Sequence, residues 1–166
     1  VSAIVDRNPF APAIPLSFPP YVLNINSNKE RNTRSMSERR FDQDEVYSIR
    51  SAVNKAFAAL RKKGFIARVK FSCCTNCASY ELSEMARNHK KNRAVFWHRQ
   101  DDQSFREGYP LHIRYFYLAP EGNESDTTAE ETAVGEQVAA AMKEQHLQIE
   151  WDGNPHYTIQ VTGLNP

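Results

Sequence analysis

The chain has little cysteine and no long apolar segment. Its three cysteines are an odd number within five residues, so they cannot form a long-range disulfide framework and suit a reducing compartment. No apolar run approaches the roughly 18 residues that a membrane helix needs. The first residues show no basic stretch followed by a continuous apolar segment. We therefore expect no secretory signal, no membrane association and a cytoplasmic protein.

The motifs that mark several large enzyme classes are also missing. The sequence contains no Walker loop, no Rossmann glycine fingerprint and no HExxH pair, and no internal repeat is visible. Its 166 residues, 25% charged and 40% hydrophobic, are typical of one globular domain with a single core. Composition alone therefore leaves open whether the protein is an enzyme.

Charge is distributed unevenly, although the net charge is only +1. Residues 28–100 contain 17 Lys and Arg against 7 Asp and Glu, whereas residues 101–166 contain 3 against 12. This asymmetry fits three hypotheses: nucleic-acid binding by the basic half, self-association between the basic and acidic halves of two copies, or pairing of the two halves inside one domain. We favour the last.

Proline separates the N-terminal part from the rest. Residues 9–20, PFAPAIPLSFPP, contain five of the nine prolines, and residues 24–40 are polar and basic without periodicity. We predict that residues 1–41 form a flexible proline-rich arm and basic linker. Residues 42–163 are predicted to form a single α+β domain.

Apolar spacing and end signals predict three helices. The first begins after Asp42, which with Glu45 forms a capping-box pattern, and ends at Gly64. A second follows the cysteines, and a third begins at Thr128. The predicted inward-facing residues are Val46, Ile49, Val53, Phe57 and Leu60 in the first helix, Ala78, Leu82, Met85 and Ala86 in the second, and Val134, Val138, Ala141 and Met142 in the third.

Alternating or aromatic segments predict five strands. They cover residues 65–71, 94–98, 111–118, 148–151 and 157–161, with a polar loop between the second and third and a hairpin formed by the last two. The succession contains the βαββαβ order of ferredoxin-like folds. We predict an α+β two-layer sandwich with a ferredoxin-like core, an extra N-terminal helix and a C-terminal hairpin.

The cysteines stand between a predicted strand and a predicted helix, where the helix dipole lowers a thiol pKa. A right-handed βαβ crossover would bring His98, at the end of the next strand, to the same edge of the sheet. The predicted metal ligands are Cys73, Cys74, Cys77 and His98, with Gln100 and Asp101 just outside the ligand set.

Three chemistries fit this cluster. The leading hypothesis is Zn²⁺ binding by cysteines and His98, as part of a binding or regulatory domain. A thiol redox pair of Cys74 and Cys77 is the second, although the Trp-Cys-Gly-Pro-Cys of thioredoxins is absent. A nucleophilic cysteine with His98 as base and Asp101 orienting it is the third. Alternatively, the thiols serve only as small buried hydrophobic residues.

Four segments together resemble a known family. They are F-S-C-C-T-N-C at 71–77, F-W-H-R-Q-D at 96–101, V-G-E-Q-V-A-A-A-M at 134–142 and I-E-W-D-G at 149–153. The chain resembles an uncharacterised bacterial family, a domain of unknown function, over roughly residues 45–162. The resemblance implies that the cysteines, His98, Gln100 and Asp101 act together. It implies no activity, substrate or cofactor.

Overall fold

Helices alternate with strands along most of the chain. The computed structural model describes residues 41–120 and 126–165. In chain order the elements are α1 (Gln43–Lys62), β1 (Ile66–Arg68), α2 (Thr75–His89), β2 (Arg93–Phe96), α3 (Arg99–Arg106), β3 (Leu111–Tyr117), α4 (Thr128–Lys143), β4 (Leu147–Glu150) and β5 (Ile159–Leu164). The predicted α+β class is confirmed.

The predicted N-terminal arm and linker lie outside the described residues, except for Phe41. Phe41 is buried in the core against Phe105, and its backbone N–H donates to the carbonyl of Gly108 at 2.9 Å. Most of the predicted acidic loop, residues 121–125, is also outside the described part. The boundary of the domain at residue 42 therefore stays a prediction.

The five strands form one mixed sheet in the order β1-β2-β3-β5-β4. β1 and β2 are direct parallel neighbours joined through α2, and the other neighbours are antiparallel. The ferredoxin-like core is not confirmed, because α3 stands between β2 and β3, where the predicted succession has two consecutive strands. The last two strands pair as the hairpin that the sequence predicts.

Helices cover both faces of the sheet. On one face Ala67 and Val95 join the main core with α1 and α4, and on the other Ile66, Ala94 and Phe96 join a smaller core with α2. Successive strand residues point to opposite faces, so both faces of β1 and β2 are apolar and each needs a cover. The predicted two-layer arrangement is therefore wrong at this end of the sheet, where α2 adds a third layer.

The helix predictions are confirmed in position and in the face that they bury. Asp42 and Glu45 form the predicted capping box, with N–H to carboxylate distances of 2.8 and 3.1 Å. Every inward-facing residue predicted for the three helices is buried or packs against one of the two cores. Among the described residues, no helix is long and apolar enough to cross a membrane.

Two predictions around the candidate site need correction. The strand predicted over residues 65–71 ends at Arg68, because the chain bends through left-handed conformations at Lys70 and Ser72. The polar loop predicted after His98 instead contains α3, which begins directly after His98. Both corrections move the candidate site from strand ends to helix starts.

Ion pairs join the basic half of the chain to the acidic half. Arg50 and Lys70 lie 2.8 and 3.4 Å from carboxylate oxygens of Asp102, and Lys63 lies 4.0 Å from Glu144. The opposite charges of the two halves thus meet within one domain. Nucleic-acid binding and self-association stay predictions.

Candidate metal centre

The segment before the cysteines is fixed to the end of β2. Lys70 and Ser72 have φ angles of 50° and 59°, which cost about 1–2 kcal/mol each for residues with a Cβ atom. Two backbone hydrogen bonds hold this bend: the Phe71 N–H donates to the Trp97 carbonyl at 2.9 Å, and the Arg99 N–H donates to the Ser72 carbonyl at 3.3 Å. Strained backbone of this kind concentrates at functional sites. The bend sets the cysteines beside the start of α3.

The three sulfur atoms lie close together at the start of α2. Cys74 is the N-cap residue, Cys77 is in the first turn, and all three sulfurs lie within 4.8 Å of one another. The Cys73 and Cys74 sulfurs are 3.8 Å apart. Two sulfurs bound to one tetrahedral zinc ion at 2.3 Å would be about 3.8 Å apart. Cys73 and Cys77 are exposed, so an ion can reach the group.

Two of the three thiols have pKa values shifted in opposite directions. The pKa of Cys74 is lowered, first by the nearby Cys77 N–H and then by the Cys77 and Cys73 thiols, although its sulfur makes no capping hydrogen bond. The pKa of Cys77 is raised to about 11, because its thiol donates toward the other two sulfurs. Cys74 is therefore the first of this pair to form a thiolate, which is the form that binds metals.

His98 is the N-cap of α3, not the end of a strand. Its Nδ1 accepts from the Asp101 N–H at 3.2 Å, and the Asp101 carboxylate accepts from the His98 N–H at 3.1 Å. This is a capping box in which histidine takes the place usually filled by Ser, Thr, Asp or Asn. The sequence analysis missed α3 because histidine is not a usual N-cap.

Neighbouring groups shift the pKa of the His98 ring in opposite directions. Burial lowers the pKa of His98, and the Arg114 cation lowers it further, while Asp101 raises it. Nδ1 lies 3.2 Å from the Asp101 backbone nitrogen and 3.1 Å from an Asp101 carboxylate oxygen. A neutral ring can therefore accept from the Asp101 N–H with its proton on Nε2, or donate to the carboxylate with its proton on Nδ1. No described residue forms a hydrogen bond with Nε2. Nε2 is thus the ring nitrogen left for a partner on the side away from the cap.

A cleft of about 410 Å³ lies beside the sulfurs. Its lining residues are Cys74, Thr75, Asn76, His98, Gln100, Asp101, Ser104 and Arg114. The structure therefore brings four of the predicted site residues, Cys74, His98, Gln100 and Asp101, to one cleft. Among the described residues, the group with the spacing of metal ligands consists of the three cysteines without His98. The role of His98 as a ligand stays a prediction.

Arg114 is a residue of the cleft that the sequence analysis missed. Its Nε and Nη2 atoms donate to the two Asp101 oxygens at 3.3 and 3.2 Å. Arg114 lies on β3 opposite Phe96, the last residue of β2, so strand pairing places it beside the start of α3. The sequence does show a charged residue within the alternating segment 111–118. Its place beside the start of α3, however, depends on the register of β2 against β3, which the sequence does not reveal.

We expect acid to destabilise the domain through His98. Because folding lowers its pKa, the stabilising effect of neutral His98 is fully present above its unfolded value of about 6.5 and is lost as the pH falls through the folded value. His98→Ala should cost about 1 kcal/mol at pH 7 through the lost cap, whereas His98→Asn keeps a capping side chain. Urea unfolding between pH 7 and 5 should show a weaker pH dependence for His98→Asn than for the wild type.

The matched control is His89→Asn, at the exposed C-terminal end of α2. This variant should keep the wild-type pH dependence. Burial also lowers the pKa of His112, so part of the dependence should persist in His98→Asn. If the free energy of unfolding of His98→Asn depended on pH as strongly as that of the wild type, His98 would not be a source of the acid destabilisation.

Together, the fold and the site define an α+β domain with a thiol cluster at the start of a helix, beside a polar cleft. The family model described as Domain of unknown function (DUF6891) matches residues 31–165. The chain belongs to this family, and the family resemblance found in the sequence is confirmed. No curated protein and no solved structure matches the chain.

Proposed function

We propose that this domain binds a thiophilic metal ion, zinc in the first place, through Cys73, Cys74 and Cys77. The observation that carries the proposal is the mutual distance of the three sulfurs, at most 4.8 Å, in a position open to solvent. The lowered pKa of Cys74 supports it, because a metal binds the thiolate. The metal would tie the bend at residues 70–72 to the first turn of α2.

A fourth ligand would complete a tetrahedral zinc site. The imidazole of His98 is the predicted candidate, and a water molecule from the cleft is the alternative. Ligation through Nε2 would place the ring proton on Nδ1, which lies 3.1 Å from an Asp101 carboxylate oxygen that can accept it, in place of the hydrogen bond from the Asp101 N–H. We favour water, because the group with the spacing of metal ligands among the described residues consists of the three cysteines without His98. A water ligand would leave one position exchangeable, as in zinc sites that bind ligands.

Zinc titration of the reduced, chelator-treated full chain against a chromophoric competitor tests the proposal. We expect one ion per chain with a Kd below about 1 µM, and at least a hundredfold weaker binding for Cys77→Ser. Co²⁺ should give a sulfur-to-metal absorption band that weakens in each cysteine variant. His89→Ala is the control for adventitious binding and should bind as the wild type does.

The fourth ligand is tested with His98→Asn, which keeps the cap. Unchanged zinc affinity indicates a water ligand, and a loss as large as that of Cys77→Ser would make His98 a ligand. Binding weaker than about 10 µM, or binding that survives replacement of all three cysteines, would overturn the metal proposal.

Thiol redox chemistry is the second candidate, and the opposite pKa shifts of Cys74 and Cys77 favour it. A more acidic thiol at the first position of CxxC and a less acidic thiol at the second form the arrangement that disulfide exchange uses. Alkylation by iodoacetamide across pH 5–9 separates the two functions. A redox pair should show rapid reaction of Cys74 below pH 8 that added zinc does not suppress, whereas zinc should protect the thiols of a metal site.

A further inference from the structure

A cluster of cations lies at the end of β1 and β2 opposite the cysteines. α1 leads into β1 and α2 leads into β2, and the two strands are parallel neighbours with Ile66 beside Ala94. The two connections from helix to strand therefore lie side by side. They comprise residues 61–63 and 87–93, which we call the basic end. The basic end contains seven Lys and Arg residues and no Asp or Glu.

Contacts between the two connections hold the basic end together. The Arg93 guanidinium donates to the Lys63 carbonyl at 2.7 Å and lies 4.7 Å from the centroid of the Phe65 ring. Arg93 thus fixes one connection against the other. The side chains of Lys62, Lys63 and Lys90 are exposed. The basic end is therefore a defined surface of the folded domain and not a run of charges on a loose segment.

The described carboxylates balance little of this charge. Glu144 lies 4.0 Å from Lys63, and the two side chains are 58% and 52% exposed. An exposed pair of this kind is weak, because water screens it. Within the described part of the chain, Lys62, Lys90 and Lys91 form no ion pair with a carboxylate. These three lysines therefore keep their charge for a partner outside the domain.

Helix stability accounts for only part of the cluster. The last turns of α1 and α2 each contain two basic residues, and cations in these positions stabilise the helix dipole. Lys90, however, is the C-cap residue of α2 with a φ angle of 51°, a left-handed conformation that Gly or Asn usually provides. Lys91 lies beyond the helix. The dipole requires a lysine at neither position, so the cluster exceeds what the helices need.

The side chains of the basic end fit phosphates better than a membrane surface. Basic segments that bind membranes also expose large apolar side chains. In the described part of the chain such side chains lie elsewhere, at Tyr47, Val69, Tyr80, Tyr109, Tyr157 and Leu164. The basic end also contains no Phe, Tyr or Trp on which the bases of a single strand could stack. Its exposed amides, Asn88 and Asn92, can donate to phosphate or sugar oxygens.

We infer that the basic end binds the phosphate backbone of a nucleic-acid duplex without reading its base sequence. Lys62, Lys63 and Lys90 would lie against phosphates and release the counterions of the duplex. The inference goes beyond metal binding and does not require the metal, because the cysteines lie at the other end of β1 and β2. It assigns one surface to the positive excess of residues 28–100.

Fluorescence anisotropy of labelled duplexes with the reduced full chain tests the inference. The probes are a DNA duplex and an RNA duplex of about 20 base pairs, each in two unrelated sequences, at about 50 to 200 mM NaCl. We expect a Kd below about 100 µM at the lowest salt concentration and equal affinity for the two sequences. The duplex that binds more tightly identifies DNA or RNA as the partner. A single strand of the same length should bind more weakly.

A double variant assigns the binding surface. Lys62→Gln with Lys90→Gln should weaken binding about tenfold at 100 mM NaCl and reduce the slope of log affinity against log salt by about 2, because two phosphate contacts are lost. The matched control, Lys55→Gln with Arg99→Gln, removes the same charge from exposed positions outside the basic end. It should change the affinity by less than about twofold. The basic linker, residues 24–40, is present in both variants, so a difference between them reports the basic end.

Three results would overturn the inference. The first is the absence of binding to either duplex, and the second is equal affinity in the two double variants. The third is binding to vesicles that contain phosphatidylserine without binding to a duplex, which would make the surface a membrane contact. Cys77→Ser should bind the duplex as the wild type does, so the outcome is separate from that of the zinc proposal.

Discussion

Asp102→Asn should destabilise the domain by about 3 kcal/mol. The Asp102 carboxylate is buried in the structure, and its oxygens lie 2.8 Å from Arg50, 2.9 Å from Arg106 and 3.4 Å from Lys70. Removing the charge leaves three cations around a neutral amide, and Arg50 already has a buried Nε without a partner. We expect the lower end of the range for broken buried ion pairs, because the cations are partly exposed to solvent.

Urea unfolding at pH 7 measures this effect. Glu84→Gln makes the same chemical change at an exposed position of α2 and should alter the free energy of unfolding by less than about 0.5 kcal/mol. Because Lys70 lies in the bend before the cysteines, the Asp102 variant should also weaken zinc binding. A stability loss similar to that of Glu84→Gln would show that the three cations are adequately solvated without Asp102.

Gly135→Ala is expected to cost about 2 kcal/mol, although alanine is the better helix former. A Cβ atom at Gly135, within α4, would lie 2.7 Å from Cζ2 of Trp151 and 2.9 Å from Cε2 of Tyr115. Neither ring can move away from the added methyl group without losing a hydrogen bond. The Trp151 Nε1–H and the Tyr115 hydroxyl both donate to the Asn154 carbonyl, at 3.1 and 3.3 Å. Thermal and urea unfolding of the variant measure the cost.

A double-mutant cycle tests the cause. Trp151→Phe removes the two ring atoms nearest to the added methyl group, so Gly135→Ala should cost less in that background, with a coupling of about 1 kcal/mol. Additive effects would contradict the proposed clash. The contact joins the V-G-E-Q segment to the I-E-W-D-G segment, since Gly135 leaves room for the ring of Trp151.

The sequence alone was sufficient to predict the helices that bury an apolar face with regular spacing. In α1, for example, Val46, Ile49, Val53, Phe57 and Leu60 recur at helical spacing, and all five are buried. The second and third helices were predicted for the same reason. The hairpin of β4 and β5 was predicted because turn-forming residues separate two apolar segments.

The helix α3 could not be found in this way. Its one large buried apolar side chain is Phe105, and its other buried residues are Asp101 and Asp102, whose burial depends on cations from distant parts of the chain. Local periodicity contains no information about such partners. The same limit applies to the site: adjacent cysteines were visible in the sequence, whereas the cleft needs the register of β2 against β3 to bring in Arg114.

The strand order also bears on how copies of this domain could associate. Both edges of the sheet are short, with three residues in β1 and four in β4. Short edges offer few free backbone groups to a strand from another chain, and the chain leaves the β1 edge at a bend that contains Lys70. Within the described part, joining of two sheets into one continuous sheet is therefore disfavoured, and contacts between copies would have to form through helix surfaces.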